Sequence, residues 1–429
     1  MPAQFHAIVR ALPTPPRHAQ PEPMTDRVAP APRVTKRYAA KRQAILDAAV
    51  GHFNARGVRG TALTDVAASV GLVTNSITYY YRRKEDLAAA CYLRSLEWHT
   101  GLLDAAEGAG DPAARLGAFL AAYFRDLAAI EAGRQRPQVR LGDLMALPSP
   151  QSEAVFAAYN DLFRRARALF VPERADLGRA ARGARTHLVL SVVHTARLWI
   201  DRYEPQDYGR VAERVADILL AGLAGPDSRW SAAGPPLVPA PGGPTEPFLR
   251  AATALINEEG YRGASVEKIS ARLSVTKGSF YHHNDNKDDL VASCFARTFA
   301  VLRAEQAAAE ARGGPGWDRL TDCARALIRH QFDPGGPLLR CAAVGALPEG
   351  LRAEVPAQLR RLWERLAFPI GDGVADGSIR PVDPTIAAQV VSSAVDAACD
   401  LPRWCPSVGP DNAADLFARP LFLGILTAG

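Results

Sequence analysis

Apolar residues recur at helical spacing in two distant parts of the chain. Two sets follow the i, i+4, i+8 pattern, namely Ile45, Ala49 and Phe53, and Phe248, Ala252 and Ile256. Because an α-helix turns once every ~3.6 residues, each set lies on one helix face. Gly57 and Gly260 follow the two sets, where a helix commonly ends on a left-handed residue. The pattern therefore predicts two amphipathic helices, each ending at a glycine.

The same order of shorter elements follows each predicted helix. Apolar spacing predicts a short second helix from the following positions: Leu63, Val66, Ala67 and Val70, and Val266, Ile269 and Leu273. We expect Thr61 and Ser265 to be the N-caps of these helices. After a tight turn at Gly71 or Ser274, a third helix of about seven residues is predicted, as in a helix-turn-helix. A long fourth helix is then predicted to begin at 84–87 in the first copy and at 287–290 in the second, each with acidic residues in its first turn.

The two regions are copies of each other. The segments that begin at Gly57 and at Gly260 align without a gap at an offset of 203 residues, and a fainter echo pairs 146–148 with 346–348. The aligned pairs include the following: Gly60 with Gly263, Val66 with Ile269, Lys84 with Lys287, Leu87 with Leu290, and Cys91 with Cys294. So many matches at one offset indicate an internal repeat of about 190 residues.

Proline and glycine mark the boundaries between the predicted parts. The first 35 residues hold eight prolines and are expected to be disordered, and both Met1 and Met24 remain open as the start. Residues 225–247 hold seven prolines and four glycines and are interpreted as a flexible linker. The predicted N-terminal arm is 1–35, and the predicted linker is 225–244. The two helix-turn-helix domains are predicted at 36–98 and 245–301. A regulatory domain follows each of them, at 99–224 and at 302–429.

Two short helices joined by a tight turn and braced by a longer one form a helix-turn-helix. Residues 71–87 (GLVTNSITYYYRRKEDL) and 274–290 (SVTKGSFYHHNDNKDDL) both resemble the signature of the TetR family. The second copy departs from it at Ser274, which replaces the turn glycine, and at Asn284, which replaces an aromatic residue. The first copy departs from it at Val73, Asn75 and Thr78. The resemblance covers about 60 residues in each copy.

The resemblance implies an all-α protein with two tandem TetR-like domains. Each has an N-terminal three-helix unit followed by a helical regulatory bundle of about six helices. It further implies that the last two helices of each domain pair in a four-helix bundle and that a core pocket binds a small-molecule inducer. Two apolar stripes fit such pairing within one chain: Val211, Val215, Ile218, Leu219 and Gly222, and Phe417, Leu421 and Ile425. An ordinary core helix is the alternative interpretation of either stripe.

Candidate DNA contacts follow from the residue types in each copy. Short polar side chains suit the major groove, and cations, hydroxyls and amides suit the phosphates. In the first copy the groove candidates are Thr74, Asn75 and Ser76, and the phosphate candidates are Tyr79, Tyr80, Arg82 and Lys84. In the second copy Lys277 is the candidate base contact beside Gly278, and the phosphate candidates are Thr276, Ser279, Tyr281, His282 and Lys287. Tyr81 and Phe280 are expected in the core, and a solvated helix face is the alternative for any single contact.

The two copies differ in charge. Residues 36–95 carry a net charge of +6, whereas residues 245–297 are neutral overall. The first copy begins with an arm that lacks acids: Arg33, Lys36, Arg37, Lys41 and Arg42. Such an arm is expected to enter the minor groove beside the recognition helix. The neutral second copy leaves open a ligand-binding or partner-binding regulator in which only the first helix-turn-helix binds DNA.

Other classes of protein are not supported. The sequence shows no nucleophile elbow, phosphate loop, carboxylate pair or metal-ligand spacing, so no enzyme, cofactor or metal is expected. Adjacent His282 and His283 point in different directions on a helix and do not suit one metal ion. No apolar run reaches the ~20 residues of a membrane helix, and the six cysteines are expected to be reduced thiols in a cytoplasm. The whole chain has a net charge of +6 and a pI near 9.1, which favour an anionic partner.

The sequence thus predicts a double-stranded DNA-binding transcriptional regulator, in the usual mode of the family a ligand-responsive repressor. The residues themselves do not distinguish a repressor from an activator. One chain is expected to pair its two repeats as an intramolecular pseudo-dimer, with further dimerisation left open. Because the two recognition helices differ, a non-palindromic operator is expected.

Overall fold

In the computed structural model, the chain is described at residues 36–141, 147–231, 234–239, 245–276, 286–333, 336–340, 347, 349–351 and 353–427. The α-helices of the first repeat are α1 Lys36–Gly60, α2 Leu63–Ser69, α3 Thr74–Tyr80, α4 Lys84–Glu107, α5 Pro112–Glu131, α6 Gln151–Phe170, α7 Arg179–Ala196 and α8 Tyr208–Ala221. Those of the second are α9 Glu246–Gly263, α10 Val266–Arg272, α11 Lys287–Arg312, α12 Gly316–His330, α13 Glu354–Glu364, α14 Ala367–Asp376, α15 Pro384–Ala397, α16 Leu401–Trp404 and α17 Arg419–Leu423. Within these residues there is no strand beyond two isolated bridges, so the predicted all-α fold is confirmed.

The chain divides into two compact units, residues 1–41 and residues 42–429. The described part of the first unit, 36–41, is helical, and its three cations Lys36, Arg37 and Lys41 are exposed. The second unit contains the rest of both repeats. Its interior is one continuous cluster of buried apolar side chains that runs through both repeats.

The first helix-turn-helix has the predicted order of elements. The α1 helix is interrupted at Gly57, which has φ 68° and ψ 166°. This positive φ agrees with the prediction, although ψ places Gly57 in a region that only glycine enters, rather than in the left-handed helical region. The prediction of Thr61 as an N-cap is wrong, because α2 starts after Ala62 and the Thr61 hydroxyl donates to Gly57 O at 3.0 Å.

The glycine kink recurs in the second copy. Gly260 interrupts α9 with φ 75° and ψ 165°. Ser265 caps α10 as predicted, since its Oγ accepts a hydrogen bond from Lys268 N at 3.3 Å. The turn position differs between the copies: Gly71 has φ 66°, and its counterpart Ser274 has φ 56°. An L-residue in this region is strained by contact of its Cβ with the backbone.

An asparagine in the first helix of each copy bonds to a segment of the domain that follows it. In the first repeat Asn54 Oδ1 accepts from Arg140 N at 2.9 Å, and Asn54 Nδ2 donates to Gln138 O at 3.0 Å. In the second repeat Asn257 makes the matching bonds to Arg340 N at 3.1 Å and to Leu338 O at 2.8 Å. These bonds from side chain to backbone hold α1 to residues 138–140, which follow α5. They hold α9 to residues 338–340, which follow α12.

Helices of one repeat pack directly on helices of the other within residues 42–429. The α7 helix lies against α15, and α8 lies against α15 and α17. His187 Nε2 is 2.9 Å from Ala397 O, and Thr195 Oγ1 donates to Ser393 Oγ at 2.6 Å. Both predicted apolar stripes are buried, and every non-glycine member is at most 2% exposed. In the second stripe, a π-helix at Ala414–Ala418 replaces part of the expected regular helix.

The expectation of a flexible linker is wrong for the described part of 225–244. Trp230 Nε1 donates to Asp415 Oδ1 at 2.6 Å, and Trp317 Nε1 donates to Arg229 O at 3.1 Å. Further along, Arg329 donates to Pro235 O at 2.7 Å and Val238 N to Glu305 Oε1 at 2.8 Å. The proline-rich segment is therefore bonded along α11 and α12 of the second repeat.

Candidate nucleic-acid interface

The α3 helix has polar side chains on its outer face and a buried isoleucine on its inner face. Ile77 is fully buried, whereas Asn75 and Thr78 are exposed on the same two turns. Thr74 and Ser76, the other groove candidates, are half-buried. The Thr78 hydroxyl donates to Asn75 O at 2.9 Å, so the Asn75 amide is the more available polar group of the two. A buried anchor holds the helix while its outer side chains face solvent.

Aromatic and basic side chains border this surface. Tyr79 is 75% exposed, and its ring meets that of Tyr80 edge-on with centroids 5.2 Å apart. Tyr81 is 7% exposed, which confirms its predicted place in the core. The Arg42 guanidinium lies 5.5 Å from the centroid of the Tyr81 ring. Arg82, two residues after the end of α3, is exposed.

Lys84 is placed differently from the other phosphate candidates. Its Nζ donates to Arg59 O at 3.3 Å and to Thr61 O at 3.0 Å, and the side chain is half-buried. The ammonium thus holds the start of α4 to the end of α1. The sequence did not predict these two hydrogen bonds, because the acceptors lie 25 and 23 residues from Lys84 along the chain.

The basic segment before α2 is helical where it is described. Lys36 and Arg37 lie in the first turn of α1 rather than in an extended arm, and both are exposed, as is Arg42. Arg33 lies outside the described residues. The described start of this segment is therefore a helix and not an extended arm.

The described residues include two of the seven candidates in the second copy. Lys277, Gly278, Ser279, Tyr281 and His282 lie outside the described residues. Phe280 and His283 also lie outside them. Of the remaining two, Thr276 is exposed and Lys287 is half-buried.

Ion pairs that the sequence analysis missed occupy the basic residues of α10. Arg272 meets Glu258 through two hydrogen bonds of 2.7 and 2.9 Å, and Lys268 pairs with Glu259. Hydrogen bonding to the Glu258 carboxylate raises the pKa of Arg272. Opposite charges 9 and 14 residues apart on consecutive helices were the available signal. These cations are already neutralised within the domain.

The first copy holds the same pair with its charges reversed. Arg56 of α1 pairs with Asp65 of α2 at 3.0 Å, and these positions align with Glu259 and Lys268. The contact between the two helices is thus kept while its polarity is exchanged. Nothing in the first copy matches the Arg272 pair, because Ala55 and Ser69 occupy those positions.

Three other features bear on the function of the chain: metal ligands, membrane helices and cysteine thiols. Within the described part of the chain, no three His, Cys, Asp or Glu side chains converge as metal ligands. No described helix has both the length and the apolar content that a bilayer crossing requires. Burial raises the pKa of the Cys91 thiol to about 12 and that of Cys294 to about 11, so both stay protonated near neutral pH.

Known proteins match both copies. The family model of bacterial regulatory proteins of the tetR family matches residues 45–91 and again 248–294, at the offset of the repeat. The Transposon Tn10 TetC protein of Escherichia coli is 37% identical over 57 residues, which are 13% of this chain and 29% of that protein. The HTH-type transcriptional repressor DhaR of Mycobacterium sp. (strain GP1) is 32% identical over 133 residues, 30% of this chain and 66% of that protein.

A solved structure is also similar. The crystal structure of a TetR-family transcriptional regulator from Bordetella parapertussis 12822 aligns with a TM-score of 0.37 and 19% identity, over 42% of this chain and 94% of that one. The first match covers the helix-turn-helix described above, and the second covers the aligned residues of the second repeat. The chain belongs to the TetR family of bacterial regulatory proteins and carries two TetR-type N-terminal domains in tandem.

Proposed function

We propose that the chain is a sequence-specific regulator of transcription that binds double-stranded DNA, responds to a small ligand and works as a repressor. The observation that carries this proposal is the surface of α3, where Asn75, Thr78 and Tyr79 are exposed around buried Ile77. A short helix with polar outer residues fits the major groove, and its neighbours then reach the phosphates.

Roles within this surface follow from side-chain chemistry. Asn75 has the donor and acceptor that pair with the adenine edge, and Thr74 and Ser76 are short enough to approach it. Tyr79, Tyr80 and Arg82 bind phosphates, together with Lys36, Arg37 and Arg42. Lys84 acts mainly by holding α4 to α1, as its two backbone acceptors indicate.

One chain supplies both halves of the DNA-binding unit. The bonds from His187 to Ala397 O and from Thr195 to Ser393 join the two repeats as the subunits of a dimer would be joined. Because Asn75 favours adenine and Lys277 favours guanine, the operator has two different half-sites. Each good base contact contributes about 1–3 kcal/mol of discrimination, so exchanging one half-site for the other weakens binding on the order of tenfold or more.

Selection of duplexes from a random pool, followed by gel shift at low salt, tests this function. The expected result is a non-palindromic consensus with two half-sites about one helical turn or a multiple apart. No binding at low salt would overturn the proposal of a DNA-binding regulator. A palindrome bound by two chains would overturn the pseudo-dimer.

A second function is favoured by the ion pairs of α10. With Lys268 and Arg272 bonded to Glu259 and Glu258, the second copy offers fewer cations to phosphate. The second candidate is therefore a ligand-binding or partner-binding regulator in which only the first helix-turn-helix binds DNA. A consensus of one half-site, with a footprint of half the length, would support it.

A further inference from the structure

A cleft of about 640 Å³ lies in the first repeat, where α6 ends and α7 begins. Three consecutive segments line it: the end of α6, the loop 171–178 and the first turn of α7. Four of its seven lining residues are arginines, namely Arg167, Arg174, Arg179 and Arg182. The only acid in the lining is Glu173. We call this feature the arginine cleft.

Two of the four guanidiniums are held in place by carboxylates of the same loop. Arg182 Nε donates to Val171 O at 2.9 Å, and its Nη1 donates to Glu173 Oε1 at 3.0 Å. Arg174 donates to both carboxylate oxygens of Asp176, at 3.0 and 2.8 Å. These bonds fix the orientation of two cations at the cleft before any ligand arrives.

The other two guanidiniums have no counter-charge. Within the part of the chain that the structure describes, neither Arg167 nor Arg179 has an ion pair or a side-chain hydrogen bond. Burial and the nearby guanidiniums of Arg182 and Arg179 lower the pKa of Arg167 from its usual value. Four arginines against Glu173 and Asp176 leave a net charge of +2. Because arginine stays protonated in proteins, an anion from solution is needed to offset this charge.

The shared fold does not require these cations. The end of α6 and the loop after it align without a gap with the residues 200 positions later in the chain. In the second repeat Ala367 takes the place of Arg167, and Val374 takes the place of Arg174. The same helix and loop thus form in the second repeat without these two arginines, which favours a binding role for them over a structural one.

The arginine cleft is remote from the recognition helix. The α6 helix begins beside the helix-turn-helix, where Gln151 Nε2 donates to Asp86 Oδ1 at 2.7 Å in the first turn of α4. Arg167 lies 16 residues further along α6. At ~1.5 Å per residue, this places it about 24 Å away from that end of the helix. The position favours a small anion over the backbone of the DNA that α3 binds.

We propose that the arginine cleft binds a small molecule that carries two or more phosphate groups. The arginines approach from α6, from the loop and from α7, and the tetrahedral oxygens of phosphate accept from several directions, whereas a carboxylate accepts in one plane. The volume is within the ~300–1,000 Å³ of small-molecule sites and exceeds what a single phosphate fills. The lining holds no aromatic ring, so we expect no contribution from a nucleobase.

The inference deepens the ligand response in the proposed function, and its test does not involve DNA binding. Isothermal titration calorimetry of the full chain without DNA, at constant ionic strength, compares pyrophosphate, orthophosphate, ADP and citrate. Pyrophosphate should bind about tenfold or more tightly than orthophosphate, since its second phosphate reaches further guanidiniums. ADP should bind within about threefold of pyrophosphate, because no ring stacks on its base. Citrate, which has carboxylates only, should bind more weakly than pyrophosphate.

Three variants locate the binding. Arg167→Gln and Arg179→Gln should each lower pyrophosphate affinity about tenfold or more, and Arg167→Lys should lower it less, because it keeps the charge and loses the planar fork. Neither arginine has a partner within the described residues, so both glutamine variants should fold with an unchanged or raised Tm. Arg165→Gln is the matched control: Arg165 lies on another face of α6 and pairs with Asp104. It removes one charge and should leave the affinity unchanged.

Several results would overturn the site. They are no binding of pyrophosphate at millimolar concentration, equal binding of orthophosphate, tighter binding of citrate, or glutamine variants that bind as well as the Arg165→Gln control. Displacement of pyrophosphate by duplex DNA, with weaker DNA binding by both variants, would make the cleft a DNA contact instead. A chain that binds pyrophosphate but no duplex keeps this site and overturns the proposed function. The reverse result removes this site and leaves the proposed function intact.

Discussion

The unequal charge of the two copies predicts where the salt dependence of DNA binding originates. Lys36, Arg37 and Arg42 are exposed cations of the first copy. Each phosphate that they neutralise contributes about −0.9 to the slope of log affinity against log salt. Changing all three to alanine should therefore flatten the slope by up to about 2.7. Between 50 and 200 mM salt, the wild-type chain should lose about 40-fold more affinity than the variant.

A matched control removes two cations from the second copy without changing its net charge. The variant changes Glu258, Glu259, Lys268 and Arg272 to glutamine. Since these side chains pair with one another, the slope should change little. If they instead bound phosphates, the slope would flatten by about 1.8.

Fluorescence anisotropy with a labelled operator, titrated at four or more salt concentrations, gives both slopes. The reasoning would be refuted by a triple variant that keeps the full slope, or by a control variant that loses as much as the triple variant. Either result would move the dominant phosphate contacts away from the start of α1.

Three further predictions concern stability. Ser274→Gly should raise the free energy of unfolding by about 0.5–1 kcal/mol, because it relieves a positive φ, and the reciprocal Gly71→Ser should lower it; urea unfolding of both variants measures this. Burial lowers the pKa of His99 to about 4 from 6.5, so the unfolded chain binds more protons and stability should fall from pH 6.5 down to pH 4; His99→Asn should make that fall smaller by roughly 3 kcal/mol, while His187 and His194, whose pKa values burial also lowers, keep the rest of it. Arg56→Glu and Asp65→Lys together give the charge order of the second copy. The double variant should recover the ~0.2–1 kcal/mol of unfolding free energy that either single change loses. A double-mutant cycle that shows no coupling between the two positions would contradict this.

The sequence was sufficient for features that depend on local backbone chemistry. The positive φ of Gly57 and Gly260, the cap at Ser265 and the seven residues of α3 follow from neighbouring residue types. Thr61 shows the limit of this reasoning, since a hydroxyl one residue away from the helix start bonds backward to Gly57 O instead. Caps depend on where a helix begins to within one residue.

Features that depend on distant partners could not be predicted. Lys84 has the charge of a phosphate ligand, yet its ammonium reaches backbone carbonyls at the end of α1. The composition of the linker suggested a flexible chain, and the bond from Trp230 to Asp415, 185 residues away, fixes it instead. The stack of the Trp404 ring on Phe163 joins the two repeats, and no local pattern encodes it.

The central claim is that one chain is the complete DNA-binding unit, and the mass of its complex with DNA tests it most directly. Light scattering of dilute protein alone and of protein bound to its selected operator gives the number of chains in each. We predict 46 kDa of protein in both cases, one chain per duplex. A chain that is always dimeric, or an operator that always holds two chains, would contradict the account.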